Sequence, residues 1–133
     1  MRFDRFTIKA QDVFADAQDI TQNNKQQQLD VEHLLLALIN QKEGLTLQIL
    51  QRLGANVPGI ISRLDDEIGK LPKVAGAGQL YMSQRVNTII DAAFEEMKKL
   101  KDEYLSTEHL LLAIADEKGG VSSRILKENG ASK

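Results

Sequence analysis

The chain lacks the residues on which several common classes of small protein depend. Among its 133 residues there is no cysteine and no tryptophan, and the only prolines are Pro58 and Pro72. The absence of cysteine excludes disulfides, thiolate catalysis and cysteine-ligated metals. No apolar run approaches the roughly 20 residues of a membrane-spanning helix, and the first residues have no apolar core of the signal-peptide kind. We therefore expect a cytoplasmic protein that folds around an ordinary core and has no membrane partner.

The chain also lacks an excess of positive charge, with 17 Lys and Arg against 19 Asp and Glu. The formal net charge is −2, with 27% charged residues. The single basic run, Lys98–Lys101, is flanked by Glu95, Glu96, Asp102 and Glu103, which is typical of a solvated helix face. The sequence therefore predicts no nucleic-acid partner.

What the chain does contain is an internal repeat. Residues 32–37 read Glu-His-Leu-Leu-Leu-Ala, and the same six letters recur at 108–113, an offset of 76 residues. The same offset, without a gap, carries Thr7 onto Ser83. A gapless repeat indicates one structural unit used twice. We predict a single domain of two pseudo-twofold-related repeats, residues 1–71 and 83–133, joined by a connector at 72–82.

The spacing of apolar residues predicts that both repeats are α-helical. The expected helices span about 8–22, 31–41, 45–53 and 57–70 in the first repeat, and Ser83 to Leu100, 108–116 and 121–129 in the second. Leu100 is expected to face inward, and the connector with Gly76 and Gly78 is expected to be irregular. No counterpart of 57–70 follows Gly130, so we expect the second repeat to lack its closing helix.

The only two histidines, His33 and His109, lie in the repeated Glu-His pairs. A metal-dependent hydrolase that uses these pairs is one hypothesis. Adjacent helical residues point about 100° apart, however, and the zincin spacing is absent. We favour helix-start chemistry, with Glu32 and Glu108 beside the positive end of the helix dipole. The sequence thus predicts no catalytic residue and no metal ligand.

One difference between the repeats suggests a binding residue. Phe94 stands where the first repeat has Gln18, at the edge of its helix's apolar stripe. It either packs at the rim of the core or lines a partly exposed apolar groove for a partner.

With Thr7-Ile8-Lys9-Ala10-Gln11 and the doubled Glu-His-Leu-Leu-Leu-Ala motif, the chain resembles the double Clp repeat, the N-terminal domain of the Clp family of AAA+ chaperones. Residues 1–7, 71–74 and 101–110 are most similar to ClpB-type disaggregases. The resemblance covers essentially the whole chain, and it implies an all-α fold of two four-helix repeats.

The resemblance also implies a function in the stress response. Such a domain recruits unfolded or aggregated polypeptides, through exposed apolar segments, for an ATP-dependent disaggregase. The resemblance further implies that the parent protein is a homohexamer that works with a separate co-chaperone system. No Walker motif occurs in residues 1–133, so this fragment is expected to be no enzyme and to hold no cofactor, while ATP and Mg²⁺ belong to the parent.

The family's substrate-handling positions fall here on Thr7, Asp102 and Glu108, and its groove positions on Ala92, Glu96 and His109. Each of the first three has a structural alternative: Thr7 as a helix cap, Glu108 as a partner of the helix dipole and Asp102 as a solvated turn residue. For Thr7 and Glu108 we favour the structural role. A second functional hypothesis is the docking of folded adaptors, as in ClpC- or ClpA-type protease unfoldases.

Overall fold

In the computed structural model, residues 3–74 and 79–131 are described, and helices dominate both ranges. After a short 3-10 helix at Phe3–Arg5 the elements are α1 Ile8–Asn23, β1 Gln28–Leu29, α2 Val31–Asn40, α3 Leu45–Arg52, α4 Val57–Gly69, β2 Tyr81–Met82, α5 Gln84–Lys99, α6 Thr107–Ala115 and α7 Val121–Glu128. The prediction of an all-α fold is confirmed, and every expected helix is present.

Polar side chains begin the helices where the sequence indicates. The Thr7 hydroxyl accepts a hydrogen bond from the backbone N–H of Ala10, and the Ser83 hydroxyl accepts one from Val86, both at 3.1 Å. Each bond satisfies a donor that the first turn of a helix leaves without an intrahelical partner. Repeated capping residues thus start the equivalent helices α1 and α5.

The nearly all-apolar helix α2 lies at the centre of the bundle. Every residue from Val31 to Ile39 is buried, and α2 packs against all six of the other helices named above. Its equivalent α6 packs against α1, α2, α3, α5 and α7. The sequence-based expectation of a central second helix is confirmed, because no face of α2 is polar enough to meet water.

Backbone pairing just before the first helix of each repeat links that repeat to the other one. β1 pairs in parallel with β2, and the equivalent bridge joins Phe6 to Leu105. The backbone N–H of Ser83 donates to the Leu29 carbonyl, and that of Thr7 donates to the Leu105 carbonyl, both at 2.9 Å. These links are reciprocal at the offset of 76 residues, which is the signature of a pseudo-twofold relation.

Two expectations about the middle of the chain were wrong. The connector is not irregular throughout, since Tyr81–Met82 form β2; its partner strand is about 50 residues away, so no local period reveals it. Leu100 does not face inward: it is the C-cap of α5 and is 48% exposed, because Lys101 adopts a φ of 59° and turns the chain away. The glycines at 76 and 78 lie outside the described residues.

The second repeat has no counterpart of α4 among the residues described after α7. Within the described ranges, no helix combines the length and the apolar character needed to cross a membrane.

Candidate functional site

A histidine side chain caps the first turn of each central helix, α2 and α6. The backbone N–H of Asp30 donates to His33 Nδ1 at 2.9 Å, and that of Ser106 donates to His109 Nδ1 at 2.8 Å. Because Nδ1 accepts in both rings, we assign the proton of each neutral imidazole to Nε2. The side chains of Asp30 and Ser106 in turn accept from the third helical residue, which completes a capping box. Helix-start chemistry is thus confirmed for both histidines.

The two Nε2 atoms meet different partners. His33 Nε2 lies 2.6 Å from Gln26 Oε1 in the interior, and burial lowers the pKa of His33 even though the nearby Asp30 carboxylate opposes that shift. His109 Nε2 lies 2.8 Å from Oδ2 of Asp102, whose side chain is half exposed. Only the second histidine therefore orients a carboxylate that a ligand can reach.

Neither ring has a nitrogen left over for a metal. Across residues 3–74 and 79–131 there is also no group of three or more His, Cys, Asp or Glu side chains that could hold a metal ion. The metal-dependent hydrolase hypothesis finds no support in the described part of the chain.

Glu32, the residue before the first histidine, belongs to a cluster that we call the Arg85 clasp, which consists of Asp30, Glu32, Arg85, Glu117 and Ser122. The Arg85 guanidinium donates to both Glu32 oxygens at 3.1 Å and to both Glu117 oxygens at 3.0 and 2.9 Å. It also reaches Asp30 at 3.3 Å, while the Ser122 hydroxyl donates to Glu32 at 2.8 Å. Hydrogen bonds to Glu117 and Glu32, with the nearby negative charges, raise the pKa of Arg85 against the opposing effect of burial. The clasp thus links α2 of the first repeat to three segments of the second.

Glu108 is the equivalent of Glu32, and the matching cluster around it is not closed. The internal offset puts Lys9, Gln41 and Thr46 in the places of Arg85, Glu117 and Ser122. The Lys9 ammonium donates to the Glu43 carbonyl at 3.4 Å, and the Gln41 amide donates to the Lys9 carbonyl at 3.0 Å. The Thr46 hydroxyl is buried without a hydrogen-bond partner among the described residues. Glu108 is exposed and has no ion pair within the same ranges, so its carboxylate is available to a ligand.

Four of the predicted site residues meet at the start of α6. Asp102 contacts His109 directly, Glu108 precedes His109, and the backbone of Thr7 is bonded to Leu105. Thr7 is the N-cap of α1, so its structural role is established whether or not it also touches substrate.

Exposed apolar side chains neighbour two of these polar residues in the chain. Ile8 follows Thr7 and is 76% exposed, while Leu100 and Tyr104, on either side of Asp102, are 48% and 53% exposed. The predicted groove positions Ala92 and Glu96 lie on α5 and are partly exposed. The surface that we call the α6 face, made of these residues and the four above, therefore offers apolar contact area together with three carboxylates, those of Glu96, Asp102 and Glu108.

Phe94 is not part of an exposed surface, and its predicted groove position is wrong. Its side chain is only 5% exposed, and its ring centroid lies 5.9 Å from that of Phe6. The Phe6 ring in turn lies 5.5 Å from that of Phe14, with the two planes tilted by 47°. The N-terminal segment that pairs with Leu105 brings Phe6 into the interior, and it covers the edge of α5 that the helical pattern alone leaves open.

The sequence predicted no role for the clasp residues Arg85, Glu117 and Ser122. In the sequence, Arg85 and Glu117 resemble ordinary surface residues. Ser122 resembles an ordinary small polar residue in the first turn of a short helix. The available signal was the set of mismatches at the internal offset, since Arg85 aligns with Lys9 and Glu117 with Gln41.

Known proteins have sequences similar to that of this chain. A family profile described as the Clp repeat (R) N-terminal domain matches residues 5–129. The chain belongs to this family. Chaperone protein ClpB of Clostridium perfringens is 34% identical over 138 residues, an alignment that covers all of this chain and 16% of that protein. Chaperone protein ClpB of Rhodopirellula baltica is 38% identical over 114 residues, covering 86% of this chain and 13% of that protein.

Solved structures confirm the Clp repeat fold. The Hsp104 N-terminal domain from Candida albicans has a TM-score of 0.82 at 21% identity, over 96% of this chain and 83% of that one. The N-terminal domain of the chaperone ClpD from Arabidopsis thaliana has a TM-score of 0.71, also at 21% identity, over 98% and 90%. The chain is therefore a Clp-family chaperone N-terminal domain, and it spans about a sixth or less of the length of the curated ClpB relatives it matches.

Proposed function

We propose that this chain is the substrate-recruiting domain of a ClpB-type ATP-dependent disaggregase and that it binds exposed apolar segments of unfolded or aggregated polypeptides. The observation that carries the proposal is the α6 face. Exposed apolar side chains there adjoin Thr7 and Asp102 in the chain, and the Glu108 carboxylate is open, whereas the equivalent carboxylate of the first repeat is closed by Arg85. Similarity to ClpB proteins over the whole chain supports the ClpB-type assignment.

The polar residues of the α6 face would hold the backbone and the polar groups of the bound segment. Glu108 can accept hydrogen bonds from N–H groups or from a basic side chain, because it is exposed and unpaired within the described ranges. Asp102 is held in place by His109 at 2.8 Å. Apolar side chains of the segment would contact Ile8, Leu100 and Tyr104, so the binding is tolerant of sequence.

Binding at such a small surface is expected to be weak, with a Kd of ~10 μM or above. Weak binding suits a domain that must release its cargo. In the parent protein, which we propose to be a homohexamer with its ATP and Mg²⁺ sites outside residues 1–133 and a separate co-chaperone, several domains acting together would raise the effective affinity.

The test is an NMR titration of the isotopically labelled chain with reduced and alkylated lysozyme, which stays unfolded. We expect amide shift changes centred on the start of α6 and on the loop before it. Glu108→Gln should weaken binding about twofold to fivefold, whereas Asp65→Asn, a matched loss of an exposed carboxylate on α4, should leave it unchanged. An absence of shift changes at millimolar concentration would refute the proposal.

No observation in the structure favours the adaptor-docking function of ClpC- or ClpA-type unfoldases. If native lysozyme produced the same shifts as the unfolded form, however, recognition of folded partners would replace our proposal.

A further inference from the structure

The loops that follow α1 and α5 have the same backbone conformation. We call residues 24–28 the first loop and residues 100–104, which correspond to them at the offset of 76, the second loop. Lys25 and Lys101, at equivalent positions, have positive φ angles of 57° and 59°. In both loops the residue after this lysine donates its backbone N–H to a carbonyl five residues earlier, at 3.0 Å. A segment that pairs with the backbone of one loop therefore has the right geometry for the other.

The first loop is covered by the end of α4 and the chain that follows it. The backbone N–H of Val74 donates to the Lys25 carbonyl at 2.9 Å. The Gln26 side-chain amide donates to the carbonyls of Ile68 and Leu71, at 2.6 and 3.4 Å. Of the five residues in this loop, only Lys25 is exposed. The molecule thus shows how a polypeptide segment lies on a loop of this conformation.

The second loop has no such cover within residues 3–74 and 79–131. All five of its residues are exposed. The Arg5 guanidinium donates to the Glu103 carbonyl at 2.7 Å, whereas the Lys101 carbonyl accepts no hydrogen bond from a described residue. The acceptor that the first loop uses for Val74 is therefore available in the second.

The side chains of the two loops are the reverse of what burial within the domain would select. The covered loop has Asn24 and Gln28, which are partly buried. At the same positions the uncovered loop has Leu100 and Tyr104, which are 48% and 53% exposed. Apolar side chains exposed together mark a surface of contact with another polypeptide. The second loop therefore has the side chains of a covered loop and lacks the cover.

Asp102 indicates which groups a covering segment must offer. Its counterpart Gln26 donates to carbonyls, but an ionised carboxylate only accepts hydrogen bonds, and His109 holds this one in place at 2.8 Å. The second loop thus presents two acceptors, the Lys101 carbonyl and the Asp102 carboxylate. A segment with a free backbone N–H and a nearby basic side chain complements both.

We propose that the second loop binds an extended segment of an unfolded polypeptide through its backbone. One N–H of the segment donates to the Lys101 carbonyl as Val74 donates to Lys25, and the apolar side chains beside it contact Leu100 and Tyr104. Backbone pairing of this kind gives affinity without demanding one sequence. The inference rests on the function proposed above, and it adds the register in which the substrate backbone lies on the α6 face.

A short peptide and two methylated forms of it test the hydrogen bond. The peptide has the sequence of residues 71–75 with Leu71→Lys, which supplies a cation for Asp102, and both its ends are blocked. One form is N-methylated at the position of Val74, which removes the proposed donor. The control is N-methylated at the position of Lys73, whose backbone N–H makes no hydrogen bond to a described residue.

NMR titration of the labelled chain measures the Kd of each peptide. Methylation at the Val74 position should weaken binding about threefold to tenfold relative to the control, which is the effect of one hydrogen bond. The carbonyl carbon signal of Lys101 should shift with the unmodified peptide and with the control, but not with the form that lacks the donor.

The two loops also provide matched variants of the chain. Leu100→Asn combined with Tyr104→Gln gives the second loop the side chains of the first, and it should weaken peptide binding at least threefold. Asn24→Leu combined with Gln28→Tyr makes the opposite exchange in the covered loop and should not strengthen binding. Circular dichroism of both double variants confirms that the fold is retained.

Three results would overturn the inference. The first is equal weakening by the two N-methyl groups, and the second is unchanged affinity of the variant of Leu100 and Tyr104. The third is loss of peptide binding in the full-length parent, which would show that the chain itself covers the loop. If unfolded lysozyme still binds in any of these cases, the proposed function stands and only the register is wrong; if lysozyme does not bind, both fail.

Discussion

Replacing Arg85 with alanine should destabilise the domain far more than the removal of a surface ion pair. Glu32 is 3% exposed, and among the described residues only the Ser122 hydroxyl remains as its hydrogen-bond partner once the guanidinium is gone. The Glu117 and Asp30 side chains, which are 15% and 13% exposed, would then share the same small region without a cation.

The size of the loss follows from the burial of these groups. Removing one partner of a buried ion pair costs about 3–5 kcal/mol, because the other charge is left without compensation. The Arg85 side chain is itself 34% exposed, so water can enter when it is removed and part of the penalty is screened. We therefore expect Arg85→Ala to reduce the free energy of unfolding by about 2–4 kcal/mol.

Urea denaturation followed by circular dichroism measures this loss, with the midpoint and slope fitted for each variant. Arg63→Ala, which breaks the exposed pair with Glu128, is the control and should change the midpoint little. Adding Glu32→Gln to Arg85→Ala should recover stability, although Glu32→Gln alone is destabilising. A loss below about 1 kcal/mol for Arg85→Ala, or strictly additive effects of the two substitutions, would show that the clasp is not a coupled buried network.

Three further outcomes are expected. Phe94→Ala should lower the free energy of unfolding by about 3–5 kcal/mol in the same denaturation assay, since the ring belongs to the core. A change below about 1 kcal/mol would show that the ring is not packed in the core. Ser122→Ala should cost about 1–2 kcal/mol because Glu32 loses a buried donor, whereas Thr46→Val should be neutral or stabilising because it removes a buried hydroxyl that has no partner in the described part of the chain. His33, whose folded pKa is lowered, stays neutral in the fold, so its contribution to stability is complete above pH ~6.5 and is lost as the pH falls below that value. NMR titration of the ring should give a pKa below 6.5, and a value above 6.5 would contradict the burial argument.

The helices were predictable because their signals are local. The run Leu34–Ile39 has no polar face, and the capping residues Thr7, Asp30 and Ser83 stand immediately before the first turns that they satisfy. Helical periodicity and caps depend on neighbours within four or five residues, so a single chain carries the whole signal. Because the unit is repeated, the same pattern of apolar residues and helix caps occurs twice in the sequence.

The errors arose where contacts join residues far apart in the chain. Phe94 lies at the edge of its own helix, and only the crossing of the N-terminal segment brings Phe6 over it. The clasp depends on Glu32 and Arg85, more than 50 residues apart, which meet because the strands before α1 and α5 pair with the opposite repeat. Helical periodicity depends only on residues a few positions apart, so it cannot predict contacts between distant segments.

The asymmetry between the two glutamates explains how one duplicated unit can provide both stability and a binding surface. Arg85 closes the cluster at Glu32, whereas Lys9, its counterpart, donates to the Glu43 carbonyl and leaves Glu108 open. The closed cluster supplies ion pairs that hold the two repeats together, so the open one can remain accessible without unfolding the domain. The surface proposed to bind substrate is thus the open copy of a structural contact made elsewhere in the molecule.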